Sequence, residues 1–304
     1  MPGKLWIAVL AAAAAALAQQ SPVIKVNVRL VRLLVTVKDA NGQPVTGLDK
    51  SDFHITDNGA PQEIRVFERR TSQPLSVAVL IDTSGSTGID LKYETDSVAR
   101  FLRTLIGEGN PDDAAALYSF NWEVSRVRGF TRNITSLTQR LKQLRSDGGT
   151  SLYDALYLTS HDLADRDGRH VIVVVTDGGD TTSSMDFHNA LRACHDADVV
   201  LYPILVIPIT NDAGRNIGGE NALTGLAIGT GGRVFAPSIG AGLDRAFSDI
   251  LRELRTQYFL AYYPKNLPYT KDPFHRIRVT VDKPGLRAVT RTGYYGEADE
   301  SSVR

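Results

Sequence analysis

The chain has 304 residues, of which 34 are Lys or Arg and 34 are Asp or Glu, so its formal net charge is zero. Hydrophobic residues make up 42% of the chain and charged residues 22%, the composition of a globular protein long enough for one large domain or two smaller ones. A neutral chain without a basic block gives no electrostatic reason to bind nucleic acid or an anionic membrane surface.

The amino-terminal residues differ from the rest of the chain. Lys4 precedes an apolar run from Leu5 to Leu17, and the run closes on the sequence Ala-Leu-Ala. This pattern is typical of a signal peptide that is cut after a small-x-small sequence, and the run is short for a membrane span. We therefore expect residues 1–18 to be removed and the protein to be secreted or periplasmic. An uncleaved anchor or tail is the alternative.

The chain contains a single cysteine, Cys194, which excludes an intrachain disulfide. Its place deep in the chain also argues against a lipid anchor at the amino terminus. A chain of this length buries enough apolar surface to fold without disulfides. Because Cys194 lies at helical spacing from Ala190 and Leu191, we expect it to be packed in the core.

Residues 19–72 are predicted to form β-structure. Apolar and polar residues alternate through most of VIKVNVRLVRLLVTVKD, which is the pattern of a half-buried strand. The segment FHITDNGAPQEIRVFERR is predicted to be a hairpin with its tip at residues 57–60, because it contains the strong turn dipeptide Asn58-Gly59.

Residues 73–255 alternate apolar strands with amphipathic helices. SVAVLID and HVIVVVTDG are continuous apolar runs, typical of strands that are buried on both faces. One face of the helix predicted after SVAVLID carries Leu91, Val98, Phe101, Leu102 and Leu105. The alternation predicts an α/β fold with a doubly wound, mainly parallel sheet that is covered by helices on both faces.

Residues 256–297 return to a strand pattern rich in aromatic and β-branched residues, and residues 298–304 are predicted to be a tail. Exposed sheet edges need partners, and the two strand-rich flanks lie on either side of the α/β region. The flanks, 19–72 and 256–297, are therefore predicted to join into one small β-sandwich-like domain.

The stretch VLIDTSGSTG leads from a buried strand into a carboxylate and a loop of hydroxyls and glycine. An aspartic-protease loop is one interpretation, but that chemistry needs two equivalent loops in an all-β fold, and Ser84 stands where glycine would follow Asp-Thr. A subtilisin-like triad is another, since Gly-Thr-Ser follows at 149–151. Its order requires a histidine between the acid and the serine, and residues 83–150 contain none.

A metal site is the third interpretation. Asp82 and Asp177 each end an apolar strand, and ligands bind at the carboxyl ends of strands in open α/β sheets. Ser84 and Ser86 follow on the loop after Asp82, and Thr150 follows two glycines at the start of a predicted helix. Two carboxylates and three hydroxyls make an all-oxygen set that suits Mg²⁺, Mn²⁺ or Ca²⁺ and is poor for Zn²⁺.

In chain order the set reads Asp82-Thr-Ser84-Gly-Ser86, Thr150 and Asp177-Gly. This order resembles the metal-ion-dependent adhesion site of von Willebrand factor A domains, which implies a Rossmann-like fold for the central region. The resemblance implies that Ser84, Ser86 and Thr150 bind the ion directly. It also implies that Asp82 and Asp177 act mostly through bound waters.

The flanks, VTVKDANGQPVTGLDKSDFHITDNGAPQEIRVF and QYFLAYYP in particular, resemble the exported bacterial subgroup of such proteins. We expect a non-enzymatic binding or adhesion module, in which a Glu or Asp of a partner protein replaces one water on the ion. The same open coordination would also activate a water, so a metal-assisted hydrolase stays open. A structural assembly module, in which the ion only stiffens the loops, is the third alternative.

Overall fold

The protein is described by a computed structural model that covers residues 30–69, 72–88, 90–206, 216–238 and 240–296. The predicted signal peptide, residues 1–18, lies outside the described residues. No helix within the described ranges combines the length and the hydropathy that a membrane span requires.

The described residues form both strands and α-helices. The strands are β1 (Val31–Lys38), β2 (Phe53–Asp57), β3 (Ala60–Gln62), β4 (Val66–Glu68), β5 (Leu75–Asp82), β6 (Ala114–Phe120), β7 (Val124–Thr131), β8 (Arg169–Thr176), β9 (Val199–Leu205), β10 (Tyr258–Tyr262), β11 (Phe274–Val281), β12 (Arg287–Val289) and β13 (Gly293–Tyr295). The helices are α1 (Leu91–Glu108), α2 (Ile134–Leu141), α3 (Leu152–Ala164), α4 (Phe187–Asp196), α5 (Ile217–Thr230) and α6 (Ala241–Thr256).

The central sheet has the strand order β7-β6-β5-β8-β9, with all neighbours parallel except β7, which runs antiparallel at the edge. Helices α1, α2 and α6 cover one face, and α3, α4 and α5 cover the other. Successive residues of β5 enter opposite cores because side chains alternate along a strand: Val79 packs with the first set of helices and Leu80 with the second. The predicted α/β fold is confirmed.

Cys194 is buried in the second core, and burial raises the pKa of its thiol to about 11.

The two flanks build a pair of antiparallel sheets, with strand orders β12-β1-β10-β4 and β13-β11-β2-β3. Strands from before and after the central region are neighbours in each sheet. Val31 of β1 lies opposite Tyr262 of β10, and Ile55 of β2 lies opposite Val279 of β11. One apolar cluster fills the space between the sheets. The prediction of a β-sandwich-like unit built from both flanks is therefore confirmed at the level of the fold.

The predicted hairpin tip lies between β2, which ends at Asp57, and β3, which begins at Ala60. Asn58 has φ of 46° and Gly59 has φ of 82°, so both turn residues are left-handed. A two-residue hairpin turn with the twist of the flanking strands requires this conformation, which Asn-Gly adopts at little cost.

Candidate metal centre

The two predicted carboxylates lie at neighbouring strand ends. Asp82 is the last residue of β5, and Asp177 follows Thr176, the last residue of β8. Strands β5 and β8 are parallel partners, with Ile81 beside Val175. Asp82 and Asp177 are far apart in sequence, and the pairing of β5 with β8 places them at the same edge of the sheet.

Asp82 is fully buried behind the loop that carries the serines. Its Oδ1 accepts a hydrogen bond from the backbone N–H of Ser84 at 2.9 Å, and its Oδ2 accepts one from the Thr176 hydroxyl at 2.6 Å. Burial raises the pKa of Asp82 to about 6, although the bonds from Thr176 and Ser84 act in the opposite direction. Asp82 is thus held in one orientation in a poorly solvated place.

Ser84, Ser86 and Asp177 are joined by hydrogen bonds between their side chains. The hydroxyl oxygens of the two serines are 3.1 Å apart, and the Ser86 hydroxyl donates to Asp177 Oδ2 at 2.5 Å. Together with the bond from Ser84 N–H to Asp82, these contacts bring four of the five predicted site residues together.

Thr150 lies in the loop before α3. The backbone of this loop is hydrogen-bonded to the loop that carries Ser84 and Ser86. Gly85 N–H donates to the Gly148 carbonyl at 3.1 Å, and Asp147 N–H donates to the Thr83 carbonyl at 2.8 Å. The Ser146 hydroxyl also donates to the carbonyl of Ser84. These bonds fix the path of the chain just before Thr150.

The backbone of Thr150 is also held by the loop that follows Asp177. Thr181 N–H donates to the Thr150 carbonyl at 2.8 Å, and Thr150 N–H donates to the Thr181 hydroxyl at 2.9 Å. Within the described residues, no hydrogen bond joins the Thr150 hydroxyl to either serine or to Asp177. Thr150 is therefore placed between the two other loops by its backbone, while its side chain stays outside the hydrogen-bonded set.

An aromatic side chain lies against the loop that carries Thr150. Trp122 lies in the turn between β6 and β7 and is 60% exposed. Gly148 has φ of 78°, and a Cβ at this position would lie 2.1 Å from Cδ1 of Trp122. Only glycine fits here, because both the backbone conformation and the indole exclude a side chain.

Glu94 is a further acidic residue at the site, which the sequence analysis missed. It lies in the first turn of α1 and is 1% exposed. Burial raises its pKa to about 8, and the negative charges of Asp82, Asp90 and Asp177 add to the effect. A signal was present in the sequence, since Glu94 falls three residues after Leu91 on the helix face that is otherwise apolar.

The donor set fits a hard divalent cation that is held partly by hydroxyls. Within the described ranges, no three His, Cys, Asp or Glu side chains converge closely enough to hold a metal ion without other ligands. Any ion would depend on the hydroxyls of Ser84 and Ser86, which are neutral oxygen donors. Neighbouring carboxylates add to the raised pKa of both buried acids: Asp177 acts on Asp82, and Asp82, Asp90 and Asp177 act on Glu94.

Residues 77–179 match the family model described as the von Willebrand factor type A domain, and this range contains all five predicted site residues. No curated protein matches the chain in sequence.

Several solved structures are similar to part of the chain. The vWF domain of the type V pili tip protein Mfa5 from Porphyromonas gingivalis has 17% identity and a TM-score of 0.47, covering 59% of this chain and 94% of that chain. The conserved hypothetical protein BatB from Bacteroides thetaiotaomicron has 16% identity and a TM-score of 0.48, covering 59% and 98%. The PilB minor pilin from Streptococcus sanguinis has 15% identity and a TM-score of 0.48, covering 61% of this chain and 63% of its own length.

Proposed function

We propose that this chain, whose residues 77–179 form a von Willebrand factor type A domain, is an exported module that binds a protein partner through a divalent cation. One observation carries the proposal. Two strand-end carboxylates, Asp82 and Asp177, are linked through Ser84 and Ser86 by hydrogen bonds of 2.5 to 3.1 Å at one edge of the sheet. Export is inferred from the sequence of residues 1–18.

In this proposal Ser84, Ser86 and Thr150 bind the ion directly through their hydroxyl oxygens. Asp82 and Asp177 act mostly through waters and orient the serines. The hydrogen bond from Ser86 to Asp177 supports this division, since a hydroxyl that donates its proton to a carboxylate keeps its lone pairs for a cation. Mg²⁺ is the expected ion, with Mn²⁺ or Ca²⁺ as alternatives.

Neutral hydroxyl ligands leave a bound dication electrophilic, so it supplies a position that a Glu or Asp of a partner can occupy. The partner contact therefore combines a carboxylate at the ion with the surrounding surface. Trp122, which is largely exposed beside the Thr150 loop, offers an apolar contact for residues next to that carboxylate.

A binding role is favoured over hydrolysis because the two carboxylates are already engaged. Both oxygens of Asp82 accept hydrogen bonds, from Ser84 N–H and from Thr176. Asp177 accepts the Ser86 hydroxyl at Oδ2 and Gly179 N–H at Oδ1. Both carboxylates are thus used to orient the loops around the ion, which is the task that a binding site requires of them.

The test begins with isothermal titration of MgCl₂ into wild type, Ser86→Ala and a matched control, Ser248→Ala. Ser248 is an exposed serine on α6. Ser86→Ala should weaken Mg²⁺ binding about tenfold or more, and Ser248→Ala should bind as wild type does.

Immobilised wild type and Ser86→Ala are then incubated with exported proteins of the source cells, in Mg²⁺ or in EDTA. The proposal predicts a captured protein that is lost both on chelation and in Ser86→Ala. Capture that depends on neither the ion nor Ser86 contradicts it.

A further inference from the structure

Glu94 is a buried carboxylate, and one of its oxygens has no hydrogen-bonding partner in the described part of the chain. Its Oε2 atom is inaccessible to solvent and has no partner among the described residues. Its position in the first turn of α1 favours negative charge through the helix dipole, but acidic residues in first turns are ordinarily solvated. An ionised carboxylate in such a place is costly unless something with positive charge lies against it.

The charged side chains that raise the pKa of Glu94 are all acidic among the described residues. After burial, the causes that raise its pKa are Asp82, Asp90 and Asp177, and no cation of the described chain offsets them. Two of these residues, Asp82 and Asp177, are the carboxylates of the candidate metal centre.

The start of α1 is also joined to the loop of that centre. The Thr87 hydroxyl donates to the carbonyls of Asp82 and Ser84, and Asp90 N–H donates to the Thr87 carbonyl at 3.1 Å. The first turn of α1, with Glu94, is therefore fixed next to the loop that carries the serines.

We propose that Glu94 is a positioning residue of the metal centre, a third carboxylate that accepts a hydrogen bond from a water on the ion and stabilises the ion's charge. This inference rests on the proposed function, since it requires a divalent cation at Ser84 and Ser86. Glu94 acts from outside the ligand set, because the described acidic side chains do not converge closely enough to share an ion directly.

The consequence is that the site holds its ion before a partner arrives. Asp82, Asp177 and Glu94 act from outside the direct ligand set, so they help to hold the ion while its neutral hydroxyl ligands leave it electrophilic. The ion is then retained by the chain itself, and the partner's carboxylate contributes specificity rather than the charge that keeps the ion in place.

The experiment compares wild type, Glu94→Gln and Asp96→Asn by titration with MgCl₂ and MnCl₂. Glu94→Gln keeps the side-chain volume and removes the charge. Asp96→Asn removes a charge from an exposed position of the same helix. Glu94→Gln should bind both ions about 10- to 100-fold more weakly, and Asp96→Asn should bind them as wild type does.

Thermal unfolding separates a positioning role from a structural one. In EDTA at pH 7, Glu94→Gln should be at least as stable as wild type, because a buried glutamine is neutral without taking up a proton on folding, whereas Glu94 is not. In saturating Mg²⁺ its Tm should rise less than that of wild type. If Glu94 stabilised the fold directly, Glu94→Gln would be less stable than wild type in EDTA. A Glu94→Gln protein that is unstable or unfolded without metal therefore overturns the inference. Glu94→Asp, which keeps the charge, should bind Mg²⁺ more tightly than Glu94→Gln.

The possible failures are distinguishable. If wild type and Glu94→Gln bind Mg²⁺ equally while Ser86→Ala does not bind it, Glu94 has no role at the ion, and the proposed function stands. If wild type binds neither Mg²⁺ nor Mn²⁺, both proposals fall together.

Discussion

Ser86 donates its hydroxyl proton to Asp177 across 91 residues of sequence, with the two oxygens 2.5 Å apart. This bond ties the loop after β5 to the loop after β8, and it fixes the direction in which the remaining lone pairs of Ser86 point. A carboxylate that orients a ligand in this way raises metal affinity without touching the metal.

Removal of Asp177 should therefore weaken metal binding even though the hydroxyls remain. Asp177→Ala is expected to lower Mg²⁺ affinity about 10- to 100-fold in isothermal titration. Asp196→Asn, which removes an exposed carboxylate at the end of α4, is the control and should leave affinity unchanged. Equal affinity in Asp177→Ala and wild type would show that the Ser86 bond does not organise a metal site.

Without metal, the protein should lose stability as the pH rises. Burial raises the pKa of Glu94 from its ordinary value of 4.5 to about 8, so folding favours the protonated form. The stabilising contribution is complete below about pH 4.5 and is lost as the pH approaches 8. Asp82, with its pKa raised to about 6, acts in the same direction.

Urea unfolding in EDTA, repeated between about pH 5 and pH 8, measures this slope. The free energy of unfolding should fall across the interval in wild type and fall less in Glu94→Gln. Mg²⁺ at a hundredfold excess over its Kd should restore about 2.7 kcal/mol at the upper end. Because the lowered pKa of His195 acts in the opposite direction in both proteins, the comparison between them decides: the same pH dependence in wild type and Glu94→Gln contradicts the burial of the Glu94 charge.

Trp122 should report metal binding through its fluorescence. In a protein that begins at Gln19, it is the only tryptophan left of the two in the chain. Its indole lies against Gly148, whose carbonyl accepts a hydrogen bond from Gly85 beside Ser86. Ordering of these loops by Mg²⁺ should therefore change the emission of Trp122.

The control is Trp122→Phe, which should lose the fluorescence change and keep the Mg²⁺ affinity measured by titration. If wild type binds Mg²⁺ by calorimetry and its emission does not change, the ion binds away from the Thr150 loop.

Asp57 should be a major source of stability in the β-sandwich. It is fully buried and accepts hydrogen bonds from the hydroxyls of Tyr262 and Tyr294, both at 2.8 Å, and its Oδ1 lies 3.2 Å from His275 Nδ1. Asp57 belongs to the flank before the central domain, and its partners belong to the flank after it. Asp57→Ala leaves the buried Tyr262 hydroxyl without its acceptor and leaves the Tyr294 hydroxyl with only His275 Nδ1, 3.2 Å away. The substitution should lower the free energy of unfolding by roughly 3 kcal/mol.

Urea denaturation of Asp57→Ala is compared with Asp272→Asn, a change at an exposed carboxylate in the same sandwich. Asp272→Asn should be within about 0.5 kcal/mol of wild type. A loss below about 1 kcal/mol in Asp57→Ala would mean that the buried network is not what joins the flanks.

Much of the fold followed from local patterns. The apolar runs that end in Asp82 and Asp177 predicted two buried strands with carboxylates at their carboxyl ends, and the structure has both. The turn at Asn58-Gly59 was predictable because its backbone conformation suits few other dipeptides. Such features depend on neighbouring residues, so they can be read along the sequence.

The contacts that organise the site could not be read in the same way. The bond from Thr176 to Asp82 exists because β5 and β8 are neighbours in the sheet, and strand order is a property of the whole domain. The position of the Thr150 hydroxyl relative to the serines depends on three loops at once. The sequence shows Glu94 as an acidic residue on an apolar helix face. Only the structure shows that Glu94 is buried and that the charge of Asp82 acts on it.

The most direct test of the metal centre is a crystal of the protein soaked in MnCl₂, with anomalous diffraction recorded at the manganese edge. We predict a single strong peak about 2.0 to 2.3 Å from the hydroxyl oxygens of Ser84, Ser86 and Thr150, at the edge of the sheet where β5 and β8 end. A map without a peak at these serines, or with manganese bound elsewhere on the chain, would contradict the account.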